Sequence, residues 1–354
     1  MRGKATLIPK LTIGLDLGDR ISRTCEVDAT GATVKEASVE TTAEALQSYF
    51  CGRSGCRVVM EAGTHSPWIS RLLETLGHEV IVANSAEVYG NRRRKRRNDQ
   101  LDAEFLARQG RADIKLLHPI RHRTAQAQQH LEVIRARDQL VRVRTKLINH
   151  VRGSVKALGG RVERCSAEAF PRKAAAHIPD GIQDAVEPLL EMIVTVTKKI
   201  DAYDEQMKQV IADSYPDAAH VQQIRGVGPI TALAFVLLVE DPKRFTRSRD
   251  VGAYFGLVPR LDESSSFQPQ LRITKAGDEL GRRLLVSAAQ YIMGPFGVEC
   301  DLRRHGEAIA LRGGKNAKKR AVVAVARKLS VLMHRMIVTQ AAYDPDYVIK
   351  RKAA

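Results

Sequence analysis

The segment Leu11-Thr-Ile-Gly-Leu-Asp-Leu-Gly18 decides the fold of the N-terminal part of the chain. Its apolar residues alternate around Asp16, which is the pattern of a half-buried β-strand. Two further strand-like runs follow at residues 24–27 and 33–39, separated by a turn at residues 28–31. The chain is therefore predicted to begin with three strands joined by tight turns.

Helices and strands then alternate up to about residue 120. The pattern predicts a helix over residues 42–50, a buried strand from Arg57 to Glu61, a helix over residues 68–76 and a strand over residues 79–83. This alternation indicates an α/β domain, assigned to residues 1–122, followed by a largely helical remainder.

Acidic side chains end two of these strands and begin a later helix. Asp16 and Glu61 lie on or just beyond inner strands, where a charge is costly unless it is paired or binds a cation. Asn98 is a good helix cap, and a helix beginning there places Asp99 and Asp102 on one face. Each carboxylate also has a structural interpretation, as a turn residue, a strand-end charge or a pair favoured by the helix dipole.

Taken together, the four carboxylates predict a metal site. Their oxygens are the hard ligands that Mg²⁺ prefers. Two such ions can activate the attacking oxygen and stabilise the leaving oxygen of a phosphoryl transfer. We therefore predict that Asp16, Glu61, Asp99 and Asp102 bind about two Mg²⁺ ions.

The chain is strongly basic. It has 57 Lys and Arg against 40 Asp and Glu, a formal net charge of +17 and a pI near 9.9, which favours a nucleic-acid partner. Aromatic residues make up only 5%, so we expect contacts to phosphates rather than base stacking. No long apolar run, signal peptide or Cys-x-x-Cys pair is present, which predicts a cytoplasmic protein with no membrane partner.

Four groups of residues are candidates for phosphate binding. They are a basic run just before Asp99, a Gly-x-Gly turn that enters a helix, two residues of a later block, and a basic cluster at a C-terminal helix entrance. A plain turn and a solvated charge run are the alternatives. The candidates are Arg92, Arg93, Arg94, Lys95, Arg96, Arg97, Gly226, Gly228, Arg272, Lys275, Lys315, Lys318, Lys319 and Arg320.

The middle of the chain, residues 123–215, has the pattern of long helices. Val186, Ile193, Ile200 and Met207 recur every seven residues, as the a positions of a coiled coil do. The same pattern fits a two-helix hairpin that packs on itself. Both interpretations stay open at this point.

Three segments resemble the catalytic blocks of a known family. Ile13-Gly-Leu-Asp16, Val59-Met-Glu61-Ala-Gly-Thr-His-Ser and Asn98-Asp-Gln-Leu-Asp102-Ala are similar to those of the DEDD insertion-sequence transposases of the IS110 family. The resemblance implies a RuvC-like domain of RNase H fold, with Asp16, Glu61, Asp99 and Asp102 as Mg²⁺ ligands. Family members commonly have Lys where this chain has Asn98.

The C-terminal part, residues 216–354, resembles the mainly α-helical transposase domain of the same family. The matching blocks are Gly252 to Arg260, Leu271 to Gly277 and the helix around residues 282–289. Between them the family has a nucleophilic serine, usually followed by Gly, and the spacing puts it at Ser264. Ser265 replaces that Gly and is a possible rival.

The resemblance also implies a function. Family members include Piv-type DNA invertases and recombinases guided by a bridge RNA, and they use a coiled coil between their two domains. For this chain it implies Mg²⁺-dependent DNA cleavage and strand exchange through a covalent serine–DNA intermediate. The implied partners are donor and target double-stranded DNA, a noncoding bridge RNA, and further copies of the chain in a dimer or tetramer.

Three other functions are compatible with parts of the sequence. A RuvC-like nuclease would use the same carboxylates with water as the nucleophile. An actin-like or sugar-kinase-like ATPase is suggested by the resemblance of Gly14 to Gly18 to a phosphate loop, although no later Asp-x-Gly block matches. A noncatalytic nucleic-acid binder would need only the basic residues.

Overall fold

The computed structural model describes residues 10–53, 55–85, 98–261, 271–348 and 350. It divides the chain into two compact units, Met1–Arg123 and Thr124–Ala354. The assignment of three functional regions, with boundaries after residues 122 and 215, stays a prediction. No helix in these described ranges is both long enough and apolar enough to cross a membrane.

The first unit is built on a five-stranded sheet with the strand order β3-β2-β1-β4-β5. The first three strands form an antiparallel meander, while β1, β4 and β5 run parallel. This arrangement confirms the predicted α/β class. The strands are β1 Leu11–Asp16, β2 Ile21–Asp28, β3 Thr33–Glu40, β4 Arg57–Glu61 and β5 Glu79–Ala83.

In the part of this unit that the structure describes, three helices cover the two faces of the sheet. They are α1 Ala43–Cys51, α2 Ser66–Thr75 and α3 Asp99–Ala112, and a short 3-10 turn follows at Ile114–Leu117. The period of two along each strand decides which helix a residue meets. Ile13 and Leu15 share a core with residues of α1 and α2, whereas Val59 packs with Leu106 of α3.

The strand β2 is longer than its sequence pattern predicts. It begins at Ile21, although only residues 24–27 form a strand-like run in the sequence. Ser22 explains part of the difference, because it is fully buried and its hydroxyl lies 2.9 Å from that of Thr41. A polar residue with a hydrogen-bond partner can occupy an inward position that the pattern assigns to apolar residues.

The second unit is helical. Two long helices form a hairpin, and a compact group of shorter helices follows. The helices are α4 Ala125–Ala157, α5 Phe170–Ala175, α6 Gln183–Ser214, α7 Pro216–Val221, α8 Pro229–Val239, α9 Asp250–Tyr254, α10 Glu279–Met293, α11 Asp301–Ala310 and α12 Ala317–Thr339. Helix α8 is apolar all round because it lies inside this group, with seven of its eleven residues buried.

The heptad positions of α6 pack within the chain. Val186 and Ile193 share a core with Val151 and Val155 of α4, and the Arg137 guanidinium binds both carboxylate oxygens of Asp204 at 2.6 and 3.0 Å. The hairpin interpretation therefore describes this chain. The use of the same helices as a coiled coil between subunits stays a prediction.

Replacing Ile193 by Ala tests this hairpin core. Ile193 is fully buried, whereas its neighbour Met192 is 50% exposed on the outer face of the same helix. We expect Ile193→Ala to lower the free energy of unfolding by about 2–5 kcal/mol in urea denaturation. Met192→Ala is the control and should change it by less than about 0.5 kcal/mol. Equal losses from the two variants would contradict this packing.

Candidate active site

Two predicted site residues lie side by side at one edge of the sheet. Asp16 ends β1 and Glu61 ends β4, and these parallel strands are paired up to Leu15 and Met60. The two carboxylates therefore extend from the carboxyl ends of adjacent strands. Both residues are partly exposed.

The other two acids come from the first turn of α3. The helix begins where the sequence predicts, because the Asn98 side chain accepts a hydrogen bond from the Gln100 amide at 3.0 Å. Asp99 and Asp102 both lie in this first turn, where the helix dipole favours negative charge. Gln100 contributes a second anchor, since its amide group donates to the Thr24 carbonyl on β2 at 3.3 Å.

Gly14 determines how closely α3 approaches the sheet. A Cβ atom at this position would lie 1.9 Å from the carbonyl oxygen of Ala103 and 2.6 Å from the amide nitrogen of Ala107. At the far end of the helix, a Cβ on Gly110 would lie 2.3 Å from a methyl carbon of Val59. The helix backbone thus lies directly on the strands, and this contact holds Asp99 and Asp102 near Asp16.

The acids act on one another electrostatically. Burial, followed by the carboxylates of Asp99, Asp102 and Glu61, raises the pKa of Asp16 from 3.8 to about 6. Asp16, Glu61 and Asp99 form no ion pair within the ranges that the structure describes. Negative charge therefore accumulates at this edge of the sheet.

This donor set fits a divalent cation, although the side chains do not form a closed cage. In the described part of the chain, no three acidic, His or Cys residues stand at distances that would hold a metal ion. The carboxylates are nevertheless close enough for each of three to raise the pKa of the fourth. A cation at this edge would offset the repulsion and supply the counter-charge that burial of Asp16 requires.

A second candidate region lies in the helical unit. Residues on either side of segment 262–270 pair with each other: the Arg260 amide donates to the Arg272 carbonyl at 2.9 Å and the Thr274 amide to the Val258 carbonyl at 2.9 Å. Ser264 and Ser265, between these pairs, lie outside the described residues. The structure therefore shows the base of the serine-containing segment and not the serines themselves.

Two glycines make this base possible. Gly256 and Gly277 have left-handed backbones, with φ of +64° and +74°. A Cβ on Gly256 would lie 2.3 Å from the Ala276 carbonyl oxygen, and one on Gly277 would lie 2.0 Å from that of Tyr254. Any other residue would be strained at either position and would push the two segments apart.

The predicted phosphate-binding residues are in different surroundings. Arg92 to Arg97 lie outside the described residues. Gly226 and Gly228 form the turn between α7 and α8, and Gly228 directly precedes the first residue of α8. The basic candidates that the structure describes are all exposed, although the Arg320 guanidinium donates to the Gly313 carbonyl. These candidates are Arg272, Lys275, Lys315, Lys318, Lys319 and Arg320.

Many other arginines are bound within the protein. On α4, Arg137 pairs with Asp204, Arg144 with Glu168, and the Arg152 guanidinium donates to the Val162 carbonyl. Near the C terminus, Arg303 pairs with Glu299 and Glu307, and Arg304 pairs with Glu299, Asp301 and Asp346. The basic appearance of these segments thus overstates the charge available to a ligand.

The fold and the acidic edge together define a class of protein, a nucleic-acid-processing enzyme with an RNase H-like N-terminal domain. Comparison with known families agrees. A DEDD transposase family of the IS110 type matches residues 13–158, and the family described as "Transposase IS116/IS110/IS902 family" matches residues 218–297. Together the two matches cover more than half of the chain. The chain belongs to the IS110 family of DEDD transposases.

Individual transposases are similar along most of their length. The transposase for insertion sequence element IS1111A of Coxiella burnetii is 26% identical over 94% of this chain and 90% of its own length. The putative transposase y4pF/y4sB of Sinorhizobium fredii is 29% identical over 97% and 88%. The transposase for insertion sequence element IS1328 of Yersinia enterocolitica is 29% identical over 67% and 71%.

Family membership has direct consequences. The protein is a DNA-processing enzyme of the transposase and recombinase class, and it binds DNA. The DEDD domain also indicates dependence on a divalent metal.

The raised pKa of Asp16 predicts a specific dependence of stability on pH. An acid whose pKa is higher in the folded chain binds its proton more tightly there, so stability falls as pH rises from about 4 to about 6. Asp16→Asn removes this loss. We expect it to stabilise the metal-free protein above pH 6 by about 1 kcal/mol, after allowance for solvent screening, with little effect below pH 4.

Thermal unfolding across this pH range, with and without Mg²⁺, provides the measurement. Added Mg²⁺ should stabilise the wild type at neutral pH and stabilise Asp16→Asn much less, because ligand binding to the folded state raises its stability. Glu74→Gln is the control, since Glu74 is an exposed carboxylate on α2. Equal pH profiles for the wild type and Asp16→Asn would refute the charge cluster.

The close approach at Gly14 is tested by adding one methyl group. Gly14→Ala forces α3 away from β1, and we expect a loss of about 1–3 kcal/mol in the free energy of unfolding. We also expect a loss of DNA cleavage larger than this destabilisation explains. Gly52→Ala is the control, because a Cβ at Gly52 meets nothing within 4 Å. Wild-type cleavage by Gly14→Ala would show that the acids do not depend on this contact.

Proposed function

We propose that this transposase cuts and rejoins DNA by Mg²⁺-dependent transesterification, with Ser264 as the nucleophile. The proposal is supported by the raised pKa of Asp16, because three neighbouring carboxylates produce part of that shift. Carboxylates that raise the pKa of a neighbouring acid at the end of two strands destabilise the metal-free fold, and such perturbed groups are typical of functional sites. Membership of the DEDD transposases gives the cluster its chemistry.

Asp16, Glu61, Asp99 and Asp102 would hold the metal ions, two in the simplest arrangement. Bound Mg²⁺ would supply positive charge that stabilises the attacking and leaving oxygens of the phosphate. The chain's own contribution is to fix the four carboxylates at one edge, through the pairing of β1 with β4 and the contact of α3 with Gly14.

The proposed reaction conserves the number of phosphodiester bonds. The Ser264 Oγ attacks phosphorus and forms a phosphoserine ester, while the bond from phosphorus to one deoxyribose oxygen breaks. The proton of the serine hydroxyl passes to the departing deoxyribose oxygen, which leaves as a hydroxyl group. Attack by a second DNA end reverses the step and completes strand exchange, so no external energy source is required.

Binding would rest mainly on phosphate contacts. Lys315, Lys318 and Lys319 are exposed at the entrance of α12, and Arg272 and Lys275 are exposed beside the base of the serine-containing segment. Such contacts do not specify a sequence. We therefore include a noncoding bridge RNA that pairs with donor and target DNA, and we place the reaction in the cytoplasm, at the nucleoid.

Assembly of several chains is also part of the proposal. The four carboxylates and Ser264 belong to different units of the chain. A dimer or tetramer joined through the long helices would allow the carboxylates of one subunit to act with the serine of another. Cutting would then depend on assembly at the correct DNA site.

A nuclease that uses water is the second candidate. It is favoured by one observation, which is that the acidic edge lies wholly within the first unit and needs no residue of the second. Water would attack the phosphate in place of the serine, and no covalent adduct would form.

Trapping of an adduct separates the two mechanisms. Full-length protein, with its co-purifying RNA, is incubated with Mg²⁺ and a labelled duplex that spans the junction between the insertion element and its flanking DNA. Denaturing electrophoresis then detects labelled protein. We expect an adduct with the wild type and with the control Ser265→Ala. The amount of adduct should fall at least about 100-fold with Ser264→Ala, whereas DNA binding by this variant should be unchanged.

Each other result has a definite meaning. An adduct that persists in Ser264→Ala and disappears in Ser265→Ala makes Ser265 the nucleophile. Cleavage without any adduct supports the water mechanism. Cleavage that is unchanged in chelator, or in Asp16→Asn, removes the metal site from the reaction. Ribonuclease treatment that leaves activity unchanged removes the guide RNA.

A further inference from the structure

A histidine lies just beyond the acidic edge, where the segments that follow Asp16 and Glu61 meet. His65 follows Glu61 by four residues, and Asp19 follows Asp16 by three. The His65 Nε2 atom lies 3.5 Å from a carboxylate oxygen of Asp19. The loops after β1 and β4 therefore meet at this pair, just beyond the acidic edge.

The tautomer of His65 is fixed by its other nitrogen. The indole N–H of Trp68 donates to the His65 Nδ1 at 3.1 Å, and the two rings meet edge to face at a centroid distance of 6.2 Å. Indole can only donate, so Nδ1 must be the acceptor. The neutral ring consequently carries its proton on Nε2, the nitrogen directed toward Asp19.

The turn that carries His65 is held rigidly. Ser66 is fully buried, and its hydroxyl donates to the Gly63 carbonyl at 2.8 Å and accepts from the Gly63 amide at 2.9 Å. The same hydroxyl lies 2.9 Å from the Nε2 of His122. This network fixes the backbone between Glu61 and α2, and with it the position of the imidazole.

We propose that the Nε2–H of His65 donates a hydrogen bond to a phosphate oxygen of the DNA strand held at the acidic edge. This inference rests on the proposed function, because it assumes that the carboxylates act on DNA. The His65 side chain is 30% exposed, so part of the ring is open to solvent while most of it is packed. His65 would thus be a substrate-binding residue of the reaction.

The weak contact with Asp19 supports a phosphate as the intended acceptor. At 3.5 Å the contact is at the limit of a hydrogen bond, and the Asp19 side chain is 92% exposed and hydrated. A phosphate oxygen approaching this edge meets several carboxylates and needs a fixed donor. A donor whose second nitrogen is already occupied by an indole N–H is suited to that role.

The competing interpretation is structural, with His65 serving only to orient Trp68. Matched variants separate the two roles. His65→Gln keeps an N–H group near the position of Nε2, while His65→Ala removes it. Trp68→Phe keeps an aromatic ring but frees the tautomer, and Asp19→Asn removes the carboxylate charge next to Nε2 without touching the imidazole.

The experiment measures cleavage and binding separately. Single-turnover cleavage of the labelled junction duplex with Mg²⁺ gives the rate, and fluorescence anisotropy without metal gives the dissociation constant. We expect His65→Ala to lower the cleavage rate or the affinity by about tenfold or more. His65→Gln should recover most of the loss, Trp68→Phe should lie in between, and Asp19→Asn should stay within about twofold.

A double-mutant cycle with the DNA identifies the contact itself. Methylphosphonates, which lack the charged oxygen, are placed singly at successive phosphates around the cut. At one phosphate, the methylphosphonate should weaken binding or cleavage by the wild type by the same factor as the substitution His65→Ala does. The same methylphosphonate should cause no further loss in the His65→Ala variant. Additive losses at every position, or equal losses from Asp19→Asn and His65→Ala, would overturn the proposal.

The binding arm of this cycle does not require cleavage. A wild-type protein that fails to cut, with Asp16→Asn indistinguishable from it, would refute the proposed function. Anisotropy would still report whether one phosphate is coupled to His65. Trp68 is the only tryptophan in the chain, so a change in its fluorescence on DNA binding that is absent in His65→Ala would support the contact independently.

Discussion

The contact between the backbone of α3 and strand β1 is the constraint on which the acidic edge depends. A side chain at Gly14 would overlap the carbonyl of Ala103, so the helix lies closer to the sheet than any residue with a Cβ at this position would allow. Parallel pairing fixes Asp16 beside Glu61, but it cannot position acids that are far along the chain. This close packing, together with the hydrogen bond from Gln100 to Thr24, brings the first turn of α3 to the same edge.

Bringing the four acids together lowers the stability of the metal-free fold. Burial and the three neighbouring carboxylates raise the pKa of Asp16, which means that the metal-free fold is less stable with all four acids ionised. A bound cation would offset this repulsion, which agrees with the metal dependence that the DEDD family indicates.

Local patterns in the sequence predicted much of the first unit. Alternation around Asp16 gave the strand β1, and Asn98 gave the start of α3, because a strand period and a helix cap are properties of neighbouring residues. The contact at Gly14 could not be predicted in the same way. A glycine in a strand is compatible with a bulge, a bend or close packing, and only the partner decides. Spacing of Ala103, Ala107 and Gly110 along one helix face was the available signal.

Patterns that depend on a distant partner were also ambiguous in the second unit. The heptads of α6 were compatible with pairing inside the chain or between chains, because both bury the same residues. The pairing of Arg137 with Asp204, 67 residues away, could not be predicted from local sequence. The same holds for His65, whose tautomer depends on Trp68 and whose proximity to Asp19 depends on the sheet.

The internal pairing of arginines changes how the net charge should be interpreted. Each cation that contacts a nucleic-acid phosphate displaces condensed counterions, and the number displaced sets how steeply affinity falls with ionic strength. Arg137, Arg144 and Arg304 already have carboxylate partners, so they contribute little to that displacement. The salt sensitivity of this transposase should therefore reflect the exposed lysines and arginines that contact phosphates rather than its formal charge of +17.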